Sequence, residues 1–508
     1  MMKSWAEAIY RFLSSPKFFW IVLGLFVFQA VWIALSALYP MAFDEAYHFE
    51  TTSIYAEQWS PFLDEYPDEA EGLAAVHRYP SYFFHYLLSF PLRIVQTLTD
   101  SQTAQIIFLR MLNIGMVAGG IILFGRLFRR VGVSSALTNV GLLFFTLIPI
   151  FPLLAAHINY DNLLLLLIPW MLLLTHSIFI EFKQQNIPLK SLLLLATLVL
   201  ISAIVKYAML PIVLMITLFT VGLMAWHLRS LNWQEATSKL RDGWRGLSKS
   251  LQILLPLIFL ISGVLAFERY GVNLIQYNAL VPACDDVISF EECMEFGPFA
   301  RGQAYRADTD PDFSPSRIEH TQTWFGGMWY RTLFMINGNV PEDTYQNYPP
   351  LPIMAVGFSA IFLLGTFAIV RYWRLLFAGK PFNIMLLATT LFYSGILIQR
   401  NYDSYAEVGR TAALNGRYLL LVFPLLIILM SLGVSMLFGD RLKLKVAAVG
   451  VSFVLLLQGG GLISFVVQSS DTWYWPEPTV QYINEATQSA IKPLIYGSQQ
   501  GDLQFIPH

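Results

Sequence analysis

The chain is short of charged residues. Only 13% of its 508 residues are Asp, Glu, Lys or Arg, whereas soluble domains carry roughly 25%. Hydrophobic residues make up 56% of the chain, so the composition predicts a polytopic membrane protein. The formal net charge of −2 provides no basic field for a nucleic acid, and we find no nucleic-acid-binding motif.

Cysteine is also scarce. The two cysteines, Cys284 and Cys293, lie in one polar segment with four acidic residues between them. Their spacing matches no zinc pattern. We predict a disulfide that closes a short loop, which fits an oxidising compartment. Two free thiols and a metal-binding pair with the neighbouring carboxylates are the alternatives.

Internal repeats, low-complexity tracts and soluble-domain linkers are absent from the sequence. Apolar windows near ~20 residues, the length that spans a bilayer, recur instead. The first follows Lys3, Arg11 and Lys17, and its length indicates an uncleaved signal anchor. We predict an all-α protein with about eleven transmembrane helices, at 18–38, 104–127, 135–156, 160–180, 189–205, 208–227, 250–268, 351–370, 382–399, 417–437 and 446–466.

The charge distribution predicts the orientation of these spans. The decisive segment is 80–97, which is apolar but short. If it lies along the membrane interface instead of crossing, the N-terminus and the short loops share one side. That side holds 19 of the 32 Lys+Arg and only five of the 34 Asp+Glu. The positive-inside rule places it in the cytoplasm. We therefore expect an inner-membrane protein with its N-terminus inside and its C-terminus outside.

The long connections then lie on the outer, periplasmic side. The chain divides into a transmembrane module at 1–268 that includes a first outer loop at 39–103, an outer loop at 269–350, C-terminal transmembrane helices at 351–466 and an outer tail at 467–508. Because the inner loops are short, we expect the protein to act on the outer face.

Two adjacent carboxylates, Asp44 and Glu45, directly follow the first predicted span. Neighbouring acids at a membrane boundary suffer desolvation and mutual repulsion, so they indicate a function. We predict that Asp44 is a general base and that Glu45 belongs to the same catalytic site. The alternative for Asp44 is an N-cap of an interfacial helix.

Further polar residues fall at the same outer boundary in this topology. Their basic members suit a phosphate group. The candidate substrate-binding residues are His48, Arg78, Asn159, Asp161, Lys206, Tyr207, Arg400, Arg410, Arg417 and Tyr418. Helix capping by Asp161, snorkelling of Lys206 and contact of Arg417 with lipid phosphate are the alternatives.

Carboxylates beside basic side chains at the outer lip of a bilayer favour transfer from a lipid phosphate. The carboxylate accepts a proton from an acceptor hydroxyl, and Lys or Arg stabilises the leaving phosphate. Because no nucleotide donor is available outside the cell, the expected donor is a sugar on an isoprenoid phosphate. Basic groups can replace a metal ion in this role, so no cofactor is required, although a divalent cation is left open.

Three motifs carry a family resemblance: Phe43-Asp44-Glu45-Ala46-Tyr47-His48, Ile158-Asn159-Tyr160-Asp161 and Asn415-Gly416-Arg417-Tyr418-Leu419. In these motifs the chain resembles the GT-C superfamily of polytopic glycosyltransferases, which includes protein O-mannosyltransferases and lipid A aminoarabinose transferases. It looks closest to a largely uncharacterised bacterial branch. The Trp-Trp-Asp motif of the oligosaccharyltransferases is absent, which argues against transfer of a whole preassembled glycan.

The resemblance implies a GT-C-like fold and inverting hexosyl or pentosyl transfer from a polyprenyl-phosphate sugar to a cell-envelope glycan, lipid or protein. It implies that Asp44 deprotonates the acceptor and that Glu45 or Asp161 orients acceptor or donor sugar. Lys206 and Arg417 would hold the donor phosphate, with Arg400 or Arg410 in reserve. The alternatives are a transporter or flippase of a glycolipid or anionic solute, and a glycan polymerase or ligase with a diphosphate-linked donor.

Overall fold

The computed structural model describes residues 2–63, 72–229, 233–310, 312–334, 352–409, 414–439 and 441–496. The described residues form helices and the turns between them, with one isolated antiparallel bridge between Ala37 and Tyr474.

The first half of the chain contains α1 (Met2–Leu13), α2 (Pro16–Ser36), α3 (Glu45–Glu57), α4 (Phe83–Gln96), α5 (Gln102–Arg130), α6 (Ser135–Thr146), α7 (Ile150–Ala155), α8 (Tyr160–Lys183), α9 (Leu189–Val205), α10 (Leu210–Leu228), α11 (Trp233–Arg245) and α12 (Lys249–Ala266). The second half contains α13 (Val272–Tyr277), α14 (Phe290–Glu295), α15 (Gly297–Ala307), α16 (Arg317–Leu333), α17 (Pro352–Arg371), α18 (Trp373–Phe377), α19 (Pro381–Val408), α20 (Arg417–Leu420), α21 (Phe423–Phe438), α22 (Leu442–Leu457), α23 (Leu462–Gln468) and α24 (Pro478–Tyr496). A π-helical turn covers Phe267–Gly271, and 3₁₀ turns cover Tyr207–Met209, Cys284–Asp286 and Asp471–Trp473.

The prediction of an all-helical, multi-pass membrane architecture is confirmed for the described residues. Among the described residues, eight helical stretches are long and apolar enough to cross a membrane: Pro16–Ser36, Gln102–Arg130, Tyr160–Lys183, Tyr207–Leu228, Lys249–Tyr277, Ile353–Arg371, Pro381–Val408 and Leu442–Gln468. The remaining predicted spans coincide with three shorter apolar helices, α6, α9 and α21. The count of eleven therefore stays a prediction.

Two predicted spans are interrupted near prolines, and a third, 446–466, divides between α22 and α23 around Gly459–Gly461. The predicted span 135–156 divides into α6 and α7 around Pro149, and the predicted span 417–437 divides into α20 and α21 just before Pro424. Proline lacks the amide hydrogen that the preceding turn needs, and its ring clashes with that turn. Each uninterrupted helix is therefore shorter than the apolar stretch that contains it.

The segment 80–97 forms α4, a helix of 14 residues. At 1.5 Å per residue, α4 is about 21 Å long, which is shorter than a bilayer core of ~30 Å. Its buried residues, including Phe84, His85, Leu88 and Leu92, recur at helical spacing along one face. That face packs against α3 and the bundle. The length agrees with an interfacial helix, and its placement at the membrane surface stays a prediction.

Helices α5 and α8 are parallel neighbours at the centre of the bundle. Asn113 contacts Asn162 near their N-terminal ends, where Asn162 Nδ2 donates to Asn113 Oδ1 at 3.0 Å. Arg130 and Ser177 meet near their C-terminal ends. Between these points a Cβ on Gly120 would overlap the carbonyl oxygen of Leu165 and lie 2.9 Å from its carbonyl carbon. Only glycine permits the two backbones to approach so closely.

The outer loop predicted to contain a disulfide does contain one in the structure. Cys284 and Cys293 are bonded, with their Cα atoms 5.9 Å apart. The bond joins the 3₁₀ turn at Cys284–Asp286 to α14. The compartment in which this loop lies stays a prediction.

The close approach at Gly120 yields a test of the fold. We expect Gly120→Ala to destabilise the chain by about 1–3 kcal/mol, because the added methyl group overpacks a backbone contact. The matched control is Gly115→Ala on the same helix, where a Cβ meets no atom within 4 Å. Alanine there should be neutral or stabilising, by up to about 1 kcal/mol. Thermal unfolding of both purified variants in detergent measures the difference, and equal midpoints would contradict the assigned helix contact.

Candidate functional site

A buried ion pair fixes the chain between α2 and α3. Arg110, on α5, donates from Nε to Glu45 Oε1 at 2.8 Å and from Nη2 to Glu45 Oε2 at 2.7 Å. The same guanidinium also donates to the carbonyl oxygens of Ala34, Ala37 and Leu38 at the end of α2. Both side chains of the pair are completely inaccessible to solvent. Arg110 therefore ties the last turn of α2 to the first turn of α3.

Glu45 is held as a carboxylate by this environment. Burial alone would raise the pKa of Glu45. The charge of Arg110, the nearby His157, and hydrogen bonds from Arg110 and from the Ile158 amide outweigh burial, and together they lower the pKa. The Ile158 amide lies 3.1 Å from Glu45 Oε1. Both carboxylate oxygens of Glu45 are thus occupied by protein donors.

Asp44 faces the opposite way from its neighbour. Phe43 and Asp44 have φ angles of +59° and +60°, a left-handed conformation that non-glycine residues adopt only where the surroundings enforce it. Asp44 stands at the N-cap position of α3 but makes no capping hydrogen bond with its side chain. Its side chain is 54% exposed, and Oδ2 accepts a hydrogen bond of 2.6 Å from Arg417 Nη2. The capping alternative therefore does not account for this carboxylate.

The motif around Arg417 has its own steric requirement. Asn415 Oδ1 accepts a hydrogen bond from the Arg417 amide at 3.1 Å. A Cβ on Gly416 would overlap the carbonyl group of Arg331 on α16. Gly416 therefore allows the turn before α20 to pack directly against α16, and the Asn415 side chain stabilises this turn. Together they direct Arg417 across the bundle to Asp44.

A second buried ion pair lies close to the contact between Asp44 and Arg417. Lys206 Nζ lies 2.7 Å from Asp161 Oδ1, and the side chains are 4% and 0% exposed. Asn159, not Asp161, caps α8, because its side chain accepts from the Asp161 amide. Lys206 points into the protein instead of snorkelling to the interface. The structure therefore differs from the capping and snorkelling alternatives.

Aromatic rings surround the two basic groups. Lys206 Nζ lies 4.3 Å from the ring centre of Tyr160 and 5.1 Å from that of Tyr418. The Arg417 guanidinium carbon lies 5.3 Å from the ring centre of Tyr418 and 5.6 Å from that of Phe43. These distances lie within the range of cation–π contacts. The rings link Lys206 and Arg417 into one basic cluster next to Asp44.

Some polar atoms of this cluster are buried but unpaired. Nε and Nη1 of Arg417 and Oδ2 of Asp161 have no hydrogen-bond partner among the described residues. A buried donor without a partner costs about 1–3 kcal/mol, and such atoms in a native site call for an explanation. A bound anion beside Arg417 would satisfy its two donors.

Two neutral, buried histidines, His48 and His85, lie next to the basic cluster. Asn159 accepts from the Asp161 amide and donates from Nδ2 to the Phe43 carbonyl, which fixes the orientation of its side-chain amide. Nδ2 also lies 3.1 Å from His48 Nε2, so that nitrogen accepts. His48 Nδ1 then carries the proton and donates to His85 Nε2 at 2.8 Å. Burial, His85 and the charges of Arg417 and Lys206 lower the pKa of His48 well below its usual value, and burial lowers the pKa of His85 to about 3.

Other predicted site residues make different contacts. Arg78 pairs with Glu268 Oε1 at 2.8 Å and donates to Asn273, so it attaches the first outer loop to the π-helical turn after α12. Arg400 is exposed, and its charge acts on the Tyr207 hydroxyl. Tyr207 itself is anchored by its amide, which donates to Ser81 Oγ at 2.9 Å. Arg410 lies outside the described residues.

Sequence reasoning missed three residues that shape the site. They are His85, which pairs with His48; Asn113, whose Oδ1 accepts from the Asn159 amide at 3.3 Å; and Trp475, whose ring centre lies 5.7 Å from the Arg110 guanidinium. His85 and Asn113 could have been found from the sequence, because each is a polar residue inside an apolar helix. Trp475 could not, because its contact depends on how the tail packs against α2.

No group of three His, Cys, Asp or Glu side chains gathers at metal-binding distance within the parts of the chain that the structure describes. Comparisons of the chain with protein-family models, curated proteins and solved structures found no match. The GT-C resemblance therefore depends on the three short motifs.

Substitutions of Glu45 and of Arg110 should lower the stability of the protein by different amounts. Glu45→Gln removes one charge and leaves Arg110 buried without its counter-ion, so we expect a loss of about 3–5 kcal/mol. Arg110→Met additionally leaves the carbonyl groups of Ala34, Ala37 and Leu38 without a donor. It should therefore be the more destabilised variant. Thermal unfolding midpoints in detergent measure both, and wild-type stability of Glu45→Gln would contradict a structural role for Glu45.

Proposed function

We propose that the chain is an integral-membrane inverting glycosyltransferase of the GT-C type. It moves a hexosyl or pentosyl group from a polyprenyl-phosphate donor to a cell-envelope glycan, lipid or protein on the outer face of the cytoplasmic membrane. The observation that carries this proposal is the contact of a half-exposed carboxylate, Asp44, with a buried arginine, Arg417, that has two unpaired donors.

Accessibility selects the general base. Of the three carboxylates in and beside the cluster, Glu45 and Asp161 are fully buried and paired, while the Asp44 side chain is 54% exposed. An acceptor hydroxyl can therefore reach Asp44 alone. Arg417 holds Oδ2 of this carboxylate and leaves Oδ1 for the proton. Glu45 becomes a positioning residue in this proposal, which revises its expected catalytic role.

Arg417 and Lys206 are suited to the donor phosphate. Arg417 offers Nε and Nη1, which lie on adjacent parts of a planar fork and match two phosphate oxygens. Lys206 adds a positive charge, although Asp161 neutralises part of it. Tyr418 and Tyr160 line the space next to these groups. A divalent cation stays an alternative source of positive charge beside the donor phosphate.

The proposed reaction is a single displacement. The acceptor oxygen attacks the anomeric carbon while its proton passes to Asp44. The bond between the anomeric carbon and the phosphate oxygen breaks, and its electron pair stays on the polyprenyl phosphate. Arg417 and Lys206 stabilise that new negative charge. Attack from the face opposite the leaving phosphate inverts the anomeric centre.

The membrane arrangement is part of the proposal. We propose eleven spans, with α6, α9 and α21 as the shorter ones, a cytoplasmic N-terminus and an outer C-terminus. Asp44 and the disulfide loop then lie on the outer side. The charge asymmetry of the loops supports this orientation.

A transporter of an anionic solute or glycolipid is the second candidate. The fully buried Lys206–Asp161 pair favours it, because paired charges within a bundle mark transport pathways in many carriers. A carrier would require these groups to change partners during transport.

A ligase with a diphosphate-linked donor would share the site chemistry. It would differ from the proposed enzyme in the donor lipid that accumulates when the protein is inactive.

Replacement of the proposed base provides the first functional test. We expect Asp44→Asn to lower sugar transfer by about 10²–10⁴-fold, the usual contribution of a general base. Asparagine keeps the shape and tolerates the left-handed backbone, so folding should be preserved. A strain that lacks the gene is complemented with each form, and its envelope glycans and polyprenyl-linked sugars are profiled by mass spectrometry. Wild type should restore the missing sugar, and with Asp44→Asn the donor lipid should accumulate.

Asp100→Asn is the matched control, because Asp100 is an exposed acid just before α5 with no place in the site. It should complement as wild type does. Full complementation by Asp44→Asn would exclude Asp44 as the base and favour the transporter.

Replacement of the arginine fork tests the donor site. Arg417→Lys keeps the charge but loses the paired donors that hold the phosphate before and during bond cleavage, so kcat/KM for the accumulated donor lipid should fall roughly 10- to 100-fold. Arg301→Lys, at an exposed position of α15, is the control and should change little. Transfer rates in reconstituted vesicles measure the effect. Unchanged kcat/KM for Arg417→Lys would place the phosphate elsewhere.

A further inference from the structure

A cavity lined by arginines lies at the far end of the α5–α8 pair from Asp44. It measures about 520 Å³ and is lined by Arg126, Arg129 and Arg130 of α5, by Trp170 and Ser177 of α8, and by three leucines. We call it the basic cavity. Arg126 follows Arg110 by 16 positions on one helix, which corresponds to about 24 Å along the axis. The basic cavity is therefore separate from the candidate active site and faces the expected cytoplasmic side.

The three arginines form a concentration of like charge. Arg126 is three residues before Arg129 and four before Arg130, so the three side chains share one face of α5, where like charges repel. All three are exposed. No acidic side chain pairs with any of them among the described residues. An anion in the basic cavity would relieve this repulsion.

The neighbouring helix contributes a polar contact and an apolar wall. Arg130 Nη1 donates to Ser177 Oγ at 3.1 Å, which holds that guanidinium at the mouth. Trp170 is 41% exposed, and Leu123, Leu173 and Leu174 complete the wall. Trp170 lies seven positions before Ser177 on α8, about 10 Å along the helix axis, so the apolar wall extends from the arginines toward the middle of the predicted span. A small inorganic anion would contact the arginines alone, whereas a lipid would use both halves of the cavity.

We propose that the basic cavity binds an anionic phospholipid. Its phosphate lies among the three arginines, which form paired hydrogen bonds to phosphate oxygens, and an acyl chain lies along Trp170 and the leucines. Basic pockets between transmembrane helices on the cytoplasmic side recognise headgroups in this way. The positive-inside rule and the α5 dipole account for arginines at this helix end, but they do not account for a cavity with a tryptophan wall.

The test uses the purified, delipidated full chain in detergent. Phosphatidylglycerol, phosphatidylcholine and inorganic phosphate are added separately, and native mass spectrometry counts bound lipid while thermal unfolding reports protection by each addition. The variant is Arg126→Gln/Arg129→Gln/Arg130→Gln. The matched control, Arg241→Gln/Arg245→Gln/Lys249→Gln, removes three exposed basic residues from the same expected side. Because lipid binding is the readout, the result does not depend on sugar transfer.

We expect wild type and control to bind phosphatidylglycerol and to gain thermal protection from it. The triple variant should bind it roughly 100-fold more weakly, since each basic side chain contributes roughly fivefold near an anionic lipid. Phosphatidylcholine and inorganic phosphate should give little protection. If the triple variant does not fold, Arg130→Gln alone should weaken binding roughly fivefold.

Three outcomes would overturn the proposal. Equal losses in the variant and the control would show general attraction between the basic face and the lipid. Unchanged binding by both arginine variants would remove the basic cavity as the site. Protection by inorganic phosphate equal to that by phosphatidylglycerol would show a site for a small anion instead of a lipid.

Discussion

The buried contact between Arg110 and Glu45 determines where the candidate active site can lie. Burying two charges is expensive unless every donor and acceptor is satisfied. Here the guanidinium satisfies both carboxylate oxygens and three backbone carbonyl groups at the end of α2. The contact therefore fixes the chain between α2 and α3, and Asp44 is the residue immediately before Glu45. Its exposed position is a consequence of its neighbour's buried one.

Much of the architecture could be predicted from the sequence because spanning a bilayer requires long apolar runs. The eight long helices fall where those runs predicted them, and the three motifs meet in one cluster although Asp44 and Arg417 are 373 residues apart. The breaks near Pro149 and Pro424 were visible in the sequence as prolines. A window that averages hydropathy does not register them, which explains why two spans were predicted to be continuous.

The roles of individual site residues were harder to predict. Adjacent acids look alike in a sequence, and the contact of Glu45 with Arg110 together with the left-handed backbone at Phe43 and Asp44 decides which one faces solvent. Arg78 had the residue type and the predicted side of the membrane that a phosphate site requires, but Glu268 and Asn273 are its partners. The His48–His85 contact joins two helices whose packing no local pattern specifies. Such pairings are properties of the tertiary structure.

The arginines of this protein show how structural and ligand-binding cations can be separated. Arg110 is completely buried, and protein oxygens occupy its Nε and both terminal nitrogens, so it has no capacity for a substrate. Arg417 is nearly as buried but, among the described residues, its side chain donates only from Nη2, which leaves donors that a phosphate can satisfy. The arginines of the basic cavity are exposed and lack an acidic partner among the described residues. Burial raises the cost of an unpaired donor, so the unpaired donors of Arg417 indicate a ligand more strongly than exposed charges do.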